Sequence, residues 1–336
     1  MKVKKIIAII SAVVLITCAL MLCACQKDEE GYTLVAPDGA PALSIACVAD
    51  EIQAGDTVYK LNKKLVPASA IQSEAMQSDL AIVPANLASI IFNGGKDIKI
   101  LAVVTNGNLF VLSSQDDRLE SLDGLVGKLV YSIGQNSVPD IIFKTLLKNK
   151  GINFKIGEKA EAGVVTIKYC AQGSEVNSHL IAARDMGEEA YGIYAEPDVS
   201  KGINEELTEV FDLQELWAEY AVDGYSGYAQ AVLIAKSSVC EDNEFVVKLL
   251  EELDNNKSQI LKDAQLAENN IKSIYPQTAL QGNLNADVIA RCNINAVSME
   301  NGREYYEKTL KAVMDINSKL IGGQLPGDEF YCVVNR

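Results

Sequence analysis

The stretch that most restricts the fold is residues 79–89, DLAIVPANLAS. Residues 80–83 form a short apolar run of the buried-strand kind, and Pro84 ends it. Residues 85–91 then have helical spacing, with Pro84 near the first turn, where a missing N–H costs nothing. Strand, tight turn and helix in that order predict an open α/β sheet whose turn sits at the carboxyl end of a strand and faces a crevice. The free N–H groups of the helix start, from Ala85 onward, would point into that crevice, beside Asn86. Alone, the stretch reads equally well as a plain βα turn. Its form recurs, however. Residues 32–36 are a strand, Pro37, Asp38 and Gly39 a turn, and residues 40–50 have helical spacing with Ala40 and Pro41 in the first turn.

Between these turns the chain alternates. A strand is expected over 58–66, a helix over 68–77 and a fourth strand over 98–104, which argues for parallel pairing with helices on both faces. The alternation breaks at residues 105–108. A strand over 109–113 follows with no crossover helix, and a parallel neighbour needs about a dozen connecting residues. This strand therefore leads into a second lobe. There, strands are expected over 128–133, 164–169, 190–195 and 210–213, and helices over 140–150, 175–186 and 213–220. Residues 228–235 read as the return strand. From residue 242 the chain is mostly helical, over 243–255, 258–268, 286–294 and 299–320, with a loop and a last short strand over 322–334. The expected architecture is α/β: two mixed, mostly parallel sheets with helices on both faces, and a hinge of two crossings. One lobe is discontinuous, 32–107 with 229–336, and the other is 108–228.

The N-terminus sets a compartment. Residues 1–5 are basic, 6–22 apolar and uncharged, and the LCAC of residues 22–25 precedes a polar run. This is the pattern of a signal peptide, 1–24. It resembles a bacterial lipoprotein signal, with Ala24 before a lipidated Cys25, while Leu22 before Cys23 is too large and Thr17 before Cys18 leaves a short apolar region. An ordinary secreted chain or a single-helix anchor are the alternatives. Residues 25–31 then form an acidic spacer.

Three of the 30 basic residues lie in that leader, so the chain beyond Cys25 carries 27 positive against 45 negative groups, or −18. Such a balance excludes a nucleic-acid binder. The single histidine, His179, excludes multi-His metal sites. Beyond Cys25 the five cysteines, Cys47, Cys170, Cys240, Cys292 and Cys332, are odd in number and show no CxxC. Neither a disulfide framework nor a zinc site has support in that spacing, and no metal or cofactor is expected.

Taken together, these loops resemble the type II solute-binding proteins of bacterial ABC importers, within them the nitrate/sulfonate/taurine and thiamine-precursor cluster. The likeness is carried by the LCAC box, PDGAPALSIA (37–46), DLAIVPANLA (79–88), LAVVTNGNLFVLSS (101–114), SLDGLVGKLVYSIGQNSVPD (121–140), AEP (195–197) and IGGQLPGDEFY (321–331). It implies a protein that closes two lobes over one small-molecule ligand and presents it to a membrane permease with its ATPase. The implied form is a monomer on the extracytoplasmic face, held by a lipid anchor. The expected ligand contacts are Gly39, Ala40, Pro41, Pro84, Ala85, Asn86, Asn108, Gln135, Ser137, Glu196, Tyr225 and Tyr228. These loops hold no Lys or Arg, so backbone N–H groups, Asn86, Asn108, Gln135 and Ser137 would do the holding. That suits a neutral heterocycle or amide at least as well as nitrate or a sulfonate. Tyr131, Tyr194, Tyr225 and Tyr228 lie near expected strand ends, either stacking on a flat ring or packing in the core or hinge. Glu196 is either a ligand acceptor or a carboxylate at a helix start.

The same fold serves some enzymes, including a thiamine-pyrimidine synthase in the neighbouring family. Catalysis would need a nucleophile with a base, or a metal set. The sequence shows no paired-carboxylate site and no GxSxG, and His179 on the 175–186 helix reads as a surface or interlobe residue. A tethered sensor without a transporter is a third class.

Overall fold

The computed structural model describes residues 31–116, 119–220 and 227–334. The expected leader, Cys25 and Tyr225 lie outside the described residues. The first part of the chain holds β1 (Gly31–Pro37), α1 (Ala40–Leu43), β2 (Glu51–Ala54), β3 (Thr57–Val66), α2 (Ile71–Ala75), β4 (Leu80–Pro84), α3 (Ala85–Asn93) and β5 (Ile98–Thr105). The chain then crosses to β6 (Leu109–Ser113), β7 (Leu129–Ile133), α4 (Val138–Asn149), β8 (Phe154–Ile156), β9 (Val165–Cys170), α5 (Gly173–Met186), β10 (Tyr191–Ala195), α6 (Asp198–Asn204), β11 (Thr208–Asp212) and α7 (Leu213–Tyr220). It returns through β12 (Ala231–Lys236), α8 (Ser237–Cys240), α9 (Asn243–Lys262), α10 (Ala264–Ile274), α11 (Ala286–Arg291), β13 (Ile294–Ser298) and α12 (Met299–Ile316).

Two sheets result, one per lobe. Lobe I has the order β13-β5-β12-β4-β1-β3-β2, and lobe II the order β11-β6-β10-β7-β9-β8. Both are mixed. The strand pairings divide five parallel to six antiparallel, where the sequence pattern suggested a parallel majority. Much of the difference arises where the chain changes lobe. β6 enters lobe II directly from β5 and pairs antiparallel with β10 and β11, and β12 re-enters lobe I antiparallel between β4 and β5.

The central strands are apolar on both faces. In lobe I, Leu34, Leu101 and Leu233 face one buried cluster, and Val35, Val103 and Val232 face another. Lobe II repeats the arrangement, with Val111, Val130 and Ile193 on one side and Phe110, Leu112 and Tyr194 on the other. Strands covered on both sides read as continuous apolar runs, which is why residues 80–83 stood out.

Two expected helices are cut short. The one starting at Ala40 ends at Leu43, because the buried Asn256 amide accepts from Cys47 N at 2.7 Å and donates to Leu43 O at 2.9 Å. The one starting at Ala286 ends at Arg291, and Ile294–Ser298 instead joins the edge of lobe I against β5.

Candidate functional site

The two crossings form the floor between the lobes, and they touch through paired glycines. Gly107, on the way out, has φ 89°, and a Cβ there would lie 3.1 Å from Cζ of Tyr228. Gly227, on the way back, has φ 97°, and a Cβ would lie 2.6 Å from the Asn106 carbonyl oxygen. Only glycine combines that backbone with that approach. Amide side chains then bind the crossings together. Gln230 accepts from Asn108 N at 3.0 Å and donates to Asn108 Oδ1 at 2.5 Å. Gln214 Oε1 accepts from Leu109 N at 2.9 Å and from the Tyr228 hydroxyl at 2.8 Å. Asn106 and Asn293 exchange bonds of 3.1 and 2.8 Å. Asn108 is wholly buried, and its Nδ2 has no partner among the described residues. A donor left unsatisfied in a buried floor is costly unless something accepts from it.

On one flank the lobes meet through apolar side chains. Ile141 of α4, in lobe II, belongs to the same buried cluster as Ala85, Ala229, Leu310 and Val313 of lobe I. The space left between Asn86, Val138, Ile142 and Thr309 is about 10 Å³, scarcely one water.

The opposite flank is charged. Arg291, at the end of α11 in lobe I, reaches lobe II. Its Nε donates to Glu196 Oε1 at 2.5 Å, its Nη2 to Glu209 Oε2 at 2.7 Å, and its guanidinium lies 4.0 Å from the centre of the Phe110 ring. Burial alone would lower the Arg291 pKa, but Glu209 and Glu196 outweigh it and hold the guanidinium above its usual range. Glu196 has no exposed side-chain surface and also accepts from Ser200 N and Oγ at 3.1 and 3.0 Å. Further along, Lys201 of α6 pairs with Asp198 at 2.9 Å and donates to Ala279 O of lobe I at 3.1 Å. Asp38, in the turn after β1, accepts from Thr278 Oγ1 and Ala279 N. The β1 turn is thereby joined to α6.

The expected contact residues separate into groups. Gly39 has φ 104°, with open space where a Cβ would stand, so ligand atoms can approach the backbone beside Ala40 and Pro41. Pro84, Ala85 and Asn86 reach the boundary, but not with free donors. Ala85 N donates to Gln230 O at 3.0 Å, and Asn86 Nδ2 to Leu320 O at 3.1 Å. Gln135 is exposed. The Ser137 hydroxyl turns back to Ile133 O at 2.5 Å, and its loop is held by Asp140 instead. That carboxylate, wholly buried, accepts from Asn136 N, Lys144 Nζ and the Tyr169 hydroxyl, each at 2.8 Å. Burial and Asp140 push the Tyr169 phenol well up. Both carboxylate oxygens of Glu196 are in use, so it serves as the anchor for Arg291 and for the start of α6. Tyr228 is wholly buried, 5.2 Å from Trp217 edge to face, and packs the hinge. Tyr194 is buried, with its hydroxyl on Asn177. Tyr131 lies against His179 within lobe II.

Three residues that matter here were not singled out in the sequence. Gln230 carried a signal, as the one amide in the apolar run YAQAVLIA. Gln214 and Arg291 carried none, since their partners lie far away in the chain.

No protein-family model matches the chain, and no curated protein matches it by sequence. Solved structures do match it in three dimensions. An ABC transporter structure from Parabacteroides distasonis is similar with a TM-score of 0.72 at 18% identity, over 90% of this chain and 99% of that one. The ligand-binding component of an ABC-type import system from Staphylococcus aureus, with zinc bound, gives 0.59 at 12%, over 90% and 96%. The periplasmic aliphatic sulphonate-binding protein of Escherichia coli gives 0.61 at 12%, over 88% and 89%. The fold is therefore the two-lobe α/β fold of periplasmic binding proteins.

Proposed function

We propose that the protein is an extracytoplasmic solute-binding protein. It captures one small polar or heteroaromatic ligand between its lobes and delivers it to an ABC-type permease and ATPase. The observation that carries this reading is the boundary itself. Strand carboxyl ends and helix starts of two lobes face each other over a floor of two crossings, and that floor holds a buried donor, Asn108 Nδ2, without a partner. The names of the similar solved structures, which are those of importer components, support the same reading. Asn108, the Gly39 turn and the exposed Gln135 are the ligand contacts we assign, with Glu196 and Tyr228 holding the frame. The chain acts as a monomer without catalysis. Lipidation of Cys25 after removal of residues 1–24 tethers it, and among the described residues no helix is long and apolar enough to cross a membrane.

A thermal-shift screen of pyrimidines, other neutral heterocycles, sulfonates and nitrate tests this. A true ligand at 100 times its Kd adds about 2.7 kcal/mol of stability. It also changes the fluorescence of Trp217, the single tryptophan, which packs on the hinge residue Tyr228. Asn108→Ala should abolish that shift. A ligand that stabilises wild type and Asn108→Ala equally would overturn the assignment of the floor. For the tether, Cys25→Ala should move the chain from the membrane fraction to the soluble one.

A further inference from the structure

On lobe II, where β9 ends and α5 begins, three residues with metal-binding atoms converge. Cys170 closes β9, and Glu175 and His179 stand four residues apart on the first turns of α5, hence on one face of that helix. The thiol, one carboxylate oxygen and one imidazole nitrogen all lie within 4.8 Å of one another. Cys170 is buried, His179 half-buried and Glu175 exposed, so the cluster is closed below and open above. Two contacts steady it. The His179 ring lies nearly parallel on Tyr131, 4.5 Å between centres and 10° between planes. Glu175 Oε2 accepts from Ala171 N at 2.6 Å, which holds the carboxylate over the turn. The neighbouring cation, Lys168, is occupied by Glu158 at 2.9 Å and lies over the other ring, Tyr131, at 5.8 Å.

We propose that Cys170, Glu175 and His179 form a binding site for one divalent transition-metal ion of the zinc type, with a fourth position open to water or a small ligand. The donor set selects the ion. Calcium and magnesium take oxygen ligands, whereas a thiolate, an imidazole and a carboxylate suit four-coordinate zinc with one open position. Zinc bonds of roughly 2.0–2.3 Å place tetrahedral ligand atoms about 3.3–3.8 Å apart. The three atoms, all within 4.8 Å of one another, therefore need to close by at most about 1.5 Å, which side-chain rotations of the half-buried His179 and the exposed Glu175 supply. Binding releases the Cys170 proton to solvent, and the metal–sulfur bond replaces the S–H bond. All three ligands come from lobe II, so one lobe supplies the whole donor set.

The test is titration of the reduced, metal-free full chain with Co²⁺ as a spectroscopic stand-in for Zn²⁺. Expected is one ion per chain, with a thiolate-to-cobalt charge-transfer band in the near ultraviolet. Loss of mere outer partners of a metal costs about 10–100-fold in affinity, so Cys170→Ser and His179→Gln should each weaken binding by about 100-fold or more. Zn²⁺ should raise the Tm of wild type and shield Cys170 from alkylation. Cys240→Ser should change nothing, which controls for the other place where two thiols, Cys240 and Cys332, line one hollow. If Cys170→Ser unfolds, His179→Gln decides alone. No stoichiometric binding, a band that persists in His179→Gln, or one that vanishes only in Cys240→Ser overturns the proposal.

Discussion

Where α4 meets α12, the two lobes share a single apolar cluster. Where α11 meets the end of β10, they meet through Arg291 and two carboxylates. The two contacts respond differently to separation. Apolar surface pulled apart gains nothing from the water that replaces it, at roughly 25 cal/mol per Å². Charged groups are rehydrated, so an ion pair that opens into water loses little. On the proposed function, the apolar flank is the expected pivot and the charged flank the side expected to part when a ligand enters or leaves. The hydrogen-bonded crossings allow rotation but little translation.

The largest effect should come from the pivot. Ile141 is 1% exposed, and Ile141→Ala should cost about 2–5 kcal/mol in urea unfolding. A loss under about 1 kcal/mol would mean that the lobes do not share a core there, and the contrast would fail on its apolar side.

Next comes the floor. Gly227→Ala combines a positive φ with an approach to a backbone oxygen, and should cost about 1–3 kcal/mol. It should also raise the scattering radius of the ligand-free protein, as the crossings are forced apart. Lost stability with an unchanged radius would assign the glycine to local folding alone.

The charged flank should yield less stability and more motion. Arg291→Ala should cost about 1–2 kcal/mol, because the open form can hydrate Glu196. Its main signature is a larger ligand-free radius. In a double-mutant cycle Arg291→Ala and Glu196→Gln should couple by about 1 kcal/mol, whereas Arg291→Ala and Ile141→Ala should add within about 0.5 kcal/mol. Strong coupling of the latter pair would merge the flanks into one unit.

These contacts also mark how far the sequence could be read. The strand at residues 80–83, its proline and its helix were legible because all three signals are local. The crossing at residues 105–108 was legible because a strand followed a strand with no room for a helix. The strand Ile294–Ser298 was not expected: the helix predicted over 286–294 takes in only its first residue, and its burial depends on a neighbour, β5, nearly two hundred residues earlier. The hairpin strand Glu51–Ala54 was missed in the gap between the helix expected to end at residue 50 and the strand expected from residue 58, although Ile52 and Ala54 alternate with exposed residues. Asn255 and Asn256 suggested a break in what is one helix to Lys262. Asn256 is instead buried, tying α9 to the turn after α1. For the site, backbone turns could be placed from sequence, but the partners of their polar groups could not. Glu196 meets Arg291 across 95 residues, and only folding spends its carboxylate there.

The smallest expected effect supplies the control, a charged contact inside one lobe. At the amino end of β4, away from the boundary, Asp79 Oδ2 accepts from Thr33 N and Oγ1 at 2.9 and 2.8 Å, and Oδ1 pairs with Lys236 at 2.8 Å. Burial pushes this carboxyl up, but the bonds from Lys236 and Thr33 outweigh it and hold the pKa below the ordinary aspartate value of 3.8. A depressed pKa stabilises the fold above the unfolded value, and the gain fades as pH falls through the folded one. Asp79→Asn should thus cost about 1 kcal/mol at neutral pH. The gap to wild type should narrow steadily as the pH drops below 3.8. The ligand-free scattering radius should stay that of wild type throughout, because this pair joins β1, β4 and β12 of the same lobe. A gap that ignores pH would deny the carboxylate its role. A radius that grows as it does in Arg291→Ala would show that any lost ion pair loosens the molecule, and the charged flank would no longer be special.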